Sequence, residues 1–99
     1  MPVEPGDAEI MEHALGIDRK WRRKRDWCYR NHYVAGTGHH AEARVARLCE
    51  AGLMVDCGRQ PLLRPGERLY RVTAEGGAFL KLPKYLRARL GFGPPPAKP

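Results

Sequence analysis

The densest chemistry in this chain is positive charge beside aromatic rings. Residues 18–26 read Asp-Arg-Lys-Trp-Arg-Arg-Lys-Arg-Asp, so Arg19, Lys20, Arg22, Arg23, Lys24 and Arg25 are packed into one short stretch with Trp21 among them and Trp27 just beyond. Cations neutralise phosphate oxygens and displace counterions, and flat rings stack on bases; the mixture suits nucleic acid. Trp27 reads first as an anchor holding this segment to a core, and Trp21, surrounded by charge, suits either anchoring or stacking. A second group, Arg59, Arg64, Arg68 and Arg71, surrounds a Pro65-Gly66 turn. A third pair, Arg44 and Arg47, is spaced to lie on one outer face of a helix, although Glu42 and Glu50 keep that helix only weakly basic.

Other chemistry is thinly represented. His39, His40, Cys49 and Cys57 are possible zinc ligands by type, but no Cys-x-x-Cys or His-x-x-x-His pair is present. Cys28 and His32 lie four apart without any companion that would stabilise an oxyanion. No phosphate-cradling glycine loop, nucleophile elbow or paired carboxylates occur. The expectation is a protein that is not an enzyme and has no metal and no cofactor. Three cysteines cannot all pair within one chain, which favours free thiols, and Cys49 reads as a small apolar residue.

Ninety-nine residues suffice for one modest core, and the chain carries a net charge of +7. The charge is uneven: residues 1–17 hold four acids and no Lys or Arg, whereas residues 18–30 hold seven basic and two acidic residues. Such a division favours a polyanion partner, or an acidic head that covers the chain's own basic surface. Arg outnumbers Lys by 13 to 5, which reflects either base composition or a use for bidentate phosphate contacts. No run of 18 apolar residues exists, so no membrane span or membrane partner is expected. Without a basic, then apolar, leader the expected compartment is the cytoplasm of a bacterial host.

The elements that must position these groups follow from periodicity. Residues 1–6 read as disordered. Asp7 is placed to cap a helix over residues 8–15, with Ile10, Met11, Ala14 and Leu15 inward, His13 outward and Gly16 as the stop. Residues 18–26 have no apolar period and read as a loop or short exposed helical turn. Residues 27–35 read as a strand with Tyr29, Asn31 and Tyr33 on one face. A helix starting near His39, capped by Thr37 or Gly38, places Ala41, Val45, Leu48 and Cys49 on one face and ends at Gly52. Residues 53–57 and 69–73 form a hairpin with a basic tip carrying Leu62 and Leu63. Thr73 caps a last helix that Pro83 breaks or restarts. Within residues 84–90, Tyr85, Leu86 and Leu90 dock on the body or on a second copy, making a homodimer; Lys84, Arg87 and Arg89 stay outside. Residues 91–99 form a proline-rich tail without fixed structure. The fold class is α+β, ordered α-β-α-β-β-α, in one domain over residues 7–90.

Two phrases carry a resemblance. Leu48-x-x-x-Gly52-Leu53 ends a helix, and Tyr70-x-Val72-Thr73-x-x-Gly76 ends the hairpin. The pair resembles the second half of winged-helix proteins, here reduced, because only one helix has room before the wing. That resemblance implies a DNA-binding regulator whose wing lies along phosphates. The phrase at residues 27–35, with residues 13–16 and 51–54, is similar to small uncharacterised prophage-encoded proteins, which implies a phage or mobile-element origin. The leading expectation is therefore a small phage protein that binds nucleic acid, DNA foremost, mainly through phosphates. The alternative is a protein-binding phage accessory, such as an inhibitor of a host defence complex, that meets an acidic host protein.

Overall fold

The computed structural model describes residues 3–18, 20, 23–36, 38 and 40–92. Its elements are α1 (Ala8–Leu15), β1 (Tyr33–Gly36), α2 (Glu42–Glu50), β2 (Met54–Gly58), β3 (Glu67–Val72), α3 (Ala74–Phe79) and α4 (Lys84–Arg89), with short 3-10 turns at Pro5–Asp7 and Lys24–Asp26. The result is a small α+β domain with an antiparallel sheet ordered β1-β3-β2. Tyr33 pairs with Tyr70 and Gly36 with Glu67; Met54 pairs with Val72.

The predicted apolar stripes are the core. Ile10, Met11, Ala14 and Leu15 of α1 and Val45 and Leu48 of α2 are buried together with Tyr33, Ala35, Met54 and Val72 from one side of the sheet. Residues one step along these strands point away, and Val55 and Arg71 are exposed, as strand alternation requires. The chain restarts as α4 directly after Pro83, one of the two outcomes read for that proline, and Leu82 and Leu86 both enter the core. Docking onto the body thus accounts for Leu86 and, in part, Leu90, whereas Tyr85 stays half exposed.

Five expectations need correction. The strand predicted over residues 27–35 is only Tyr33–Gly36. Cys28 adopts φ 60, which breaks extended backbone, and Asn31 takes a different part. Its side-chain Oδ1 accepts the Val72 N–H at 2.8 Å while its Nδ2 donates to the Val72 carbonyl at 3.0 Å. One amide side chain thus extends the ladder where the β1 backbone has left it, and Tyr29, on the far side of the Cys28 turn, is exposed. The second helix begins at Glu42 after Ala41, not near His39; Thr37 and His39 lie outside the described residues. The Glu42 carboxylate instead reaches back to accept the Gly38 N–H at 2.6 Å, satisfying a backbone donor ahead of the helix. Asp7 makes no side-chain cap on α1. Of the residues read as a disordered head, Met1 and Pro2 lie outside the described residues, but Val3 packs against the core and Asp7 N–H bonds the Glu4 carbonyl at 2.9 Å. At the other end Phe92 also packs on the core, and residues 93–99 lie outside the described residues.

The two phrases that frame the hairpin meet at one junction. Gly52 sits at φ 79, and the Leu53 N–H returns to the Leu48 carbonyl at 2.9 Å, closing α2. The Thr73 hydroxyl accepts the Gly76 N–H at 3.1 Å, capping α3, and donates to the Gly52 carbonyl at 2.6 Å. The Thr73 N–H bonds the Leu53 carbonyl at 3.0 Å. Gly76 is required because α3 lies so close that a Cβ there would collide with the Leu53 carbonyl oxygen. In an open helix, Gly→Ala stabilises by about 1 kcal/mol. Here the overpacking cost of about 1–3 kcal/mol against rigid backbone wins, so Gly76→Ala lowers stability. Thr73→Ala, losing the cap, costs about 1–2 kcal/mol. Urea unfolding followed by circular dichroism measures both; a Gly76→Ala variant more stable than the parent would mean that α3 can move off the junction.

Candidate nucleic-acid interface

The basic segment enters and leaves through two fixed points. Arg19, Trp21 and Arg22 lie outside the described residues. The Lys20 N–H is held by Asp18 Oδ1 at 3.0 Å. Arg23, Lys24 and Arg25 follow on the 3-10 turn, all exposed, and none of the three is ion-paired among the described residues. Trp27 is buried, which is the anchoring role read for it. Arg89, exposed as expected, also reaches back from α4: its Nη1 donates to the Trp27 carbonyl at 2.9 Å and to the Arg25 carbonyl. On the other side of the turn, Arg30 donates to the His13 carbonyl at the end of α1 at 2.7 Å and lies 5.3 Å from the centre of the Tyr29 ring. That ring sits over Gly16, at φ 73, where any Cβ would collide with it. A cation at a helix C-terminus also meets the negative end of the helix dipole.

These contacts use carbonyl oxygens, so the guanidinium charges are not cancelled. Arg89 brings α4 against the basic linker between α1 and β1 (residues 18–30), and Lys84 on the same short helix lies roughly 7 Å along its axis. Arg87, also expected outside, is half-buried. The α4 cations were legible as charges, but nothing local in the sequence links position 89 to position 25.

The helix arginines separate. Arg44 is exposed and makes one long hydrogen bond, 3.4 Å, to the Gly6 carbonyl. Arg47 was expected to project outward, yet its side chain is only 15% exposed. It grips Asp7 with two bonds, Nε to Oδ2 and Nη2 to Oδ1, both 2.9 Å, and pairs with Glu4 at 3.4 Å. Asp7 is 1% exposed. Arg47 is therefore withdrawn from external contact by Asp7 and Glu4, while Glu42, Ala43, Arg44, Ala46 and Glu50 of α2 stay exposed.

In the hairpin, Arg68 pairs with Asp56 at 2.8 Å, while Arg59, Arg64 and Arg71 are exposed. A bulge between Asp56 and Gly58 twists the tip, and Glu67 accepts the Arg64 N–H at 2.7 Å to close the loop. Leu62 at the tip is 98% exposed and Leu63 is half-buried. Gly36 pairs with Glu67 at the tip end of β3, whereas Asn31 binds Val72 at the other end. The linker and the tip arginines Arg59 and Arg64 therefore stand at opposite ends of a strand about 20 Å long. They make two basic poles, with Arg71 nearer the linker end.

No family model, curated protein or solved structure matches this chain.

The cysteines are free thiols, and burial pushes Cys28 and Cys49 above the usual thiol value. Among the described residues no group of three or more His, Cys, Asp or Glu side chains is placed to hold a metal ion; His39 lies outside them. No helix among the described residues is long and apolar enough to cross a membrane.

The Arg47 grip gives a pH prediction. Its hydrogen bonds hold the Asp7 carboxyl below the usual value of 3.8, outweighing the opposing effect of burial. A carboxyl depressed in the folded state contributes stability that is complete above its unfolded value, near 3.8, and is lost as pH falls through the folded value. Asp7→Asn should therefore lower Tm at pH 7 and lose less stability than the parent between about pH 4 and pH 2. Thermal melts across that range measure the difference; parallel curves for the two proteins would remove Asp7 as the source.

Proposed function

We propose that this protein binds nucleic acid, DNA foremost, as a reduced winged-helix domain of phage or mobile-element origin, mainly through phosphate contacts and in the manner of a small regulator. The observation that carries the reading is the exposed, carboxylate-free trio Arg23, Lys24 and Arg25, presented on a turn that Arg89 holds by its backbone. The β1-β3-β2 sheet, the helix closed by Gly52-Leu53 and the hairpin ending in Thr73-x-x-Gly76 support the winged-helix part of it. The departure lies in α2. The helix in the place of a recognition helix has Arg47 consumed by Asp7 and keeps Glu42 and Glu50 exposed, so reading of base edges through α2 is disfavoured. Phosphate contact falls to the linker pole, with Arg19, Lys20, Arg22 and Trp21 belonging to the same segment, and to Arg59, Arg64 and Arg71 at the hairpin.

A second reading rests on Leu62. A leucine 98% exposed between Arg59 and Arg64 suits insertion into an apolar pocket rimmed by acids, as on a host protein that this chain would inhibit.

Gel-shift titrations across salt test the first reading. Log affinity should fall linearly with log salt, and the triple variant Arg23→Gln, Lys24→Gln, Arg25→Gln should make the slope shallower by about two to three. Arg47→Gln should leave the slope unchanged once stability is matched, because Arg47 faces inward. If neither duplex nor single strand is retarded at low salt, the reading is lost. If binding to an acidic host protein survives nuclease and is abolished by Leu62→Asp, the second reading takes its place.

A further inference from the structure

A groove of about 640 Å³ runs along α1 and the outer edge of β1, apart from the linker turn and the hairpin. Its walls come from four parts of the chain. His13 of α1, His32 before β1 and His40 before α2 contribute imidazoles, and Arg30 and Arg44 contribute guanidiniums. Ile10, Val34 and the Tyr33 ring supply apolar surface between them. Among the described residues, Glu9 is the single carboxylate lining it.

Geometry fixes several of these groups before any ligand arrives. The His13 ring stands edge-on to Tyr33 at 5.5 Å between centres, and Tyr33 is itself buried. Arg30 is held by the His13 carbonyl. Arg44 is near enough to the Tyr33 phenol to oppose the upward push that burial gives it. Its one hydrogen bond, to Gly6, is long, so its guanidinium retains donors for a ligand. Two cations and the ring nitrogens of His13 and His32 against one carboxylate favour a compact dianion, and the Ile10–Val34 floor beside flat rings favours a planar apolar group attached to it. The volume is that of an ordinary small-ligand site.

We propose that this groove binds a nucleoside monophosphate, with the phosphate between Arg30 and Arg44 and the base over the Ile10, Val34 and Tyr33 surface. The phosphate is that of a free mononucleotide or of a nucleic-acid terminus; the chemistry recognised is the same. The site does not depend on the linker reading.

The test is calorimetric titration with 5′-AMP, adenosine, inorganic phosphate and a dinucleotide with and without a 5′-phosphate, with NMR shifts of the histidine rings reporting location. AMP should saturate one site and move the His13, His32 and His40 resonances, with adenosine and phosphate each weaker. Loss of one charge-assisted contact in Arg44→Gln should weaken AMP by about tenfold. Glu9→Gln, removing a like charge from the rim, should tighten it by about twofold. Both side chains are exposed, so the fold should persist, and circular dichroism checks that it does. Saturation by the 5′-phosphorylated dinucleotide but not by AMP identifies a nucleic-acid terminus as the source and supports the site. Inorganic phosphate binding as well as AMP, no saturation by any phosphate ester, or unchanged affinity in both variants overturns it. The AMP titration contains no oligonucleotide, so its failure leaves the gel-shift result untouched, and the reverse holds.

Discussion

The bidentate grip of Arg47 on Asp7 decides what the outside of this molecule can do. Asp7 is almost wholly buried, and a lone buried carboxylate is costly, so its burial relies on the Arg47 pair and the Glu4 backbone contact. Closing it draws the head across α2 and brings Val3 onto the core. It also removes the most central cation of α2 from solvent. The Arg47 side of α2 is thus faced by the chain's own N-terminal segment.

A division follows between arginines held by carboxylates and arginines held by carbonyls. Arg47 and Arg68 meet Asp7 and Asp56, and their charges are largely cancelled. Arg30 and Arg89 meet backbone oxygens of His13, Arg25 and Trp27, which orient a guanidinium and leave its charge in place. Three of the four acids in residues 1–17 border α2 or the groove along α1, and none of them pairs with Arg23, Lys24 or Arg25 among the described residues. Positive potential therefore gathers where the linker and α4 meet, and a smaller part remains at the hairpin tip.

Much of the fold could be read from local pattern. Helix stripes, the Gly16 and Gly52 stops and the Thr73 cap are set by neighbours three or four residues away, and the structure keeps them. What could not be read were the pairings that span the chain. The aromatic and β-branched content of residues 27–35 resembles a strand, but the Asn31 side chain, bound to Val72 forty-one positions away, substitutes for backbone there. Asp7 looked like a helix cap because nothing near it announces Arg47. The same reason hid Arg89 and the groove: His13, His32 and His40 lie too far apart in sequence for any ligand spacing, and only the packing of α1 against β1 brings them to one rim.

The linker's clamps bear on how strongly it can hold a polyanion. A free basic loop loses rotational freedom in every bond that must settle when phosphates bind, at roughly 1–2 kcal/mol per ordered residue. From Arg23 to Asn31 that ordering is largely complete in the folded chain: the 3-10 turn, the Trp27 anchor, the left-handed Cys28 and the Asn31–Val72 bonds leave the side chains to settle and little of the backbone. Cys28 adopts a conformation that costs a non-glycine residue of order 1 kcal/mol, and the buried contacts of Trp27 and Cys28 offset it. The 3-10 turn and the Arg89 contacts with the Arg25 and Trp27 carbonyls hold the backbone on which Arg23, Lys24 and Arg25 stand exposed. On the proposed reading, phosphates meeting Arg23, Lys24 and Arg25 would draw on charge that folding has already arranged.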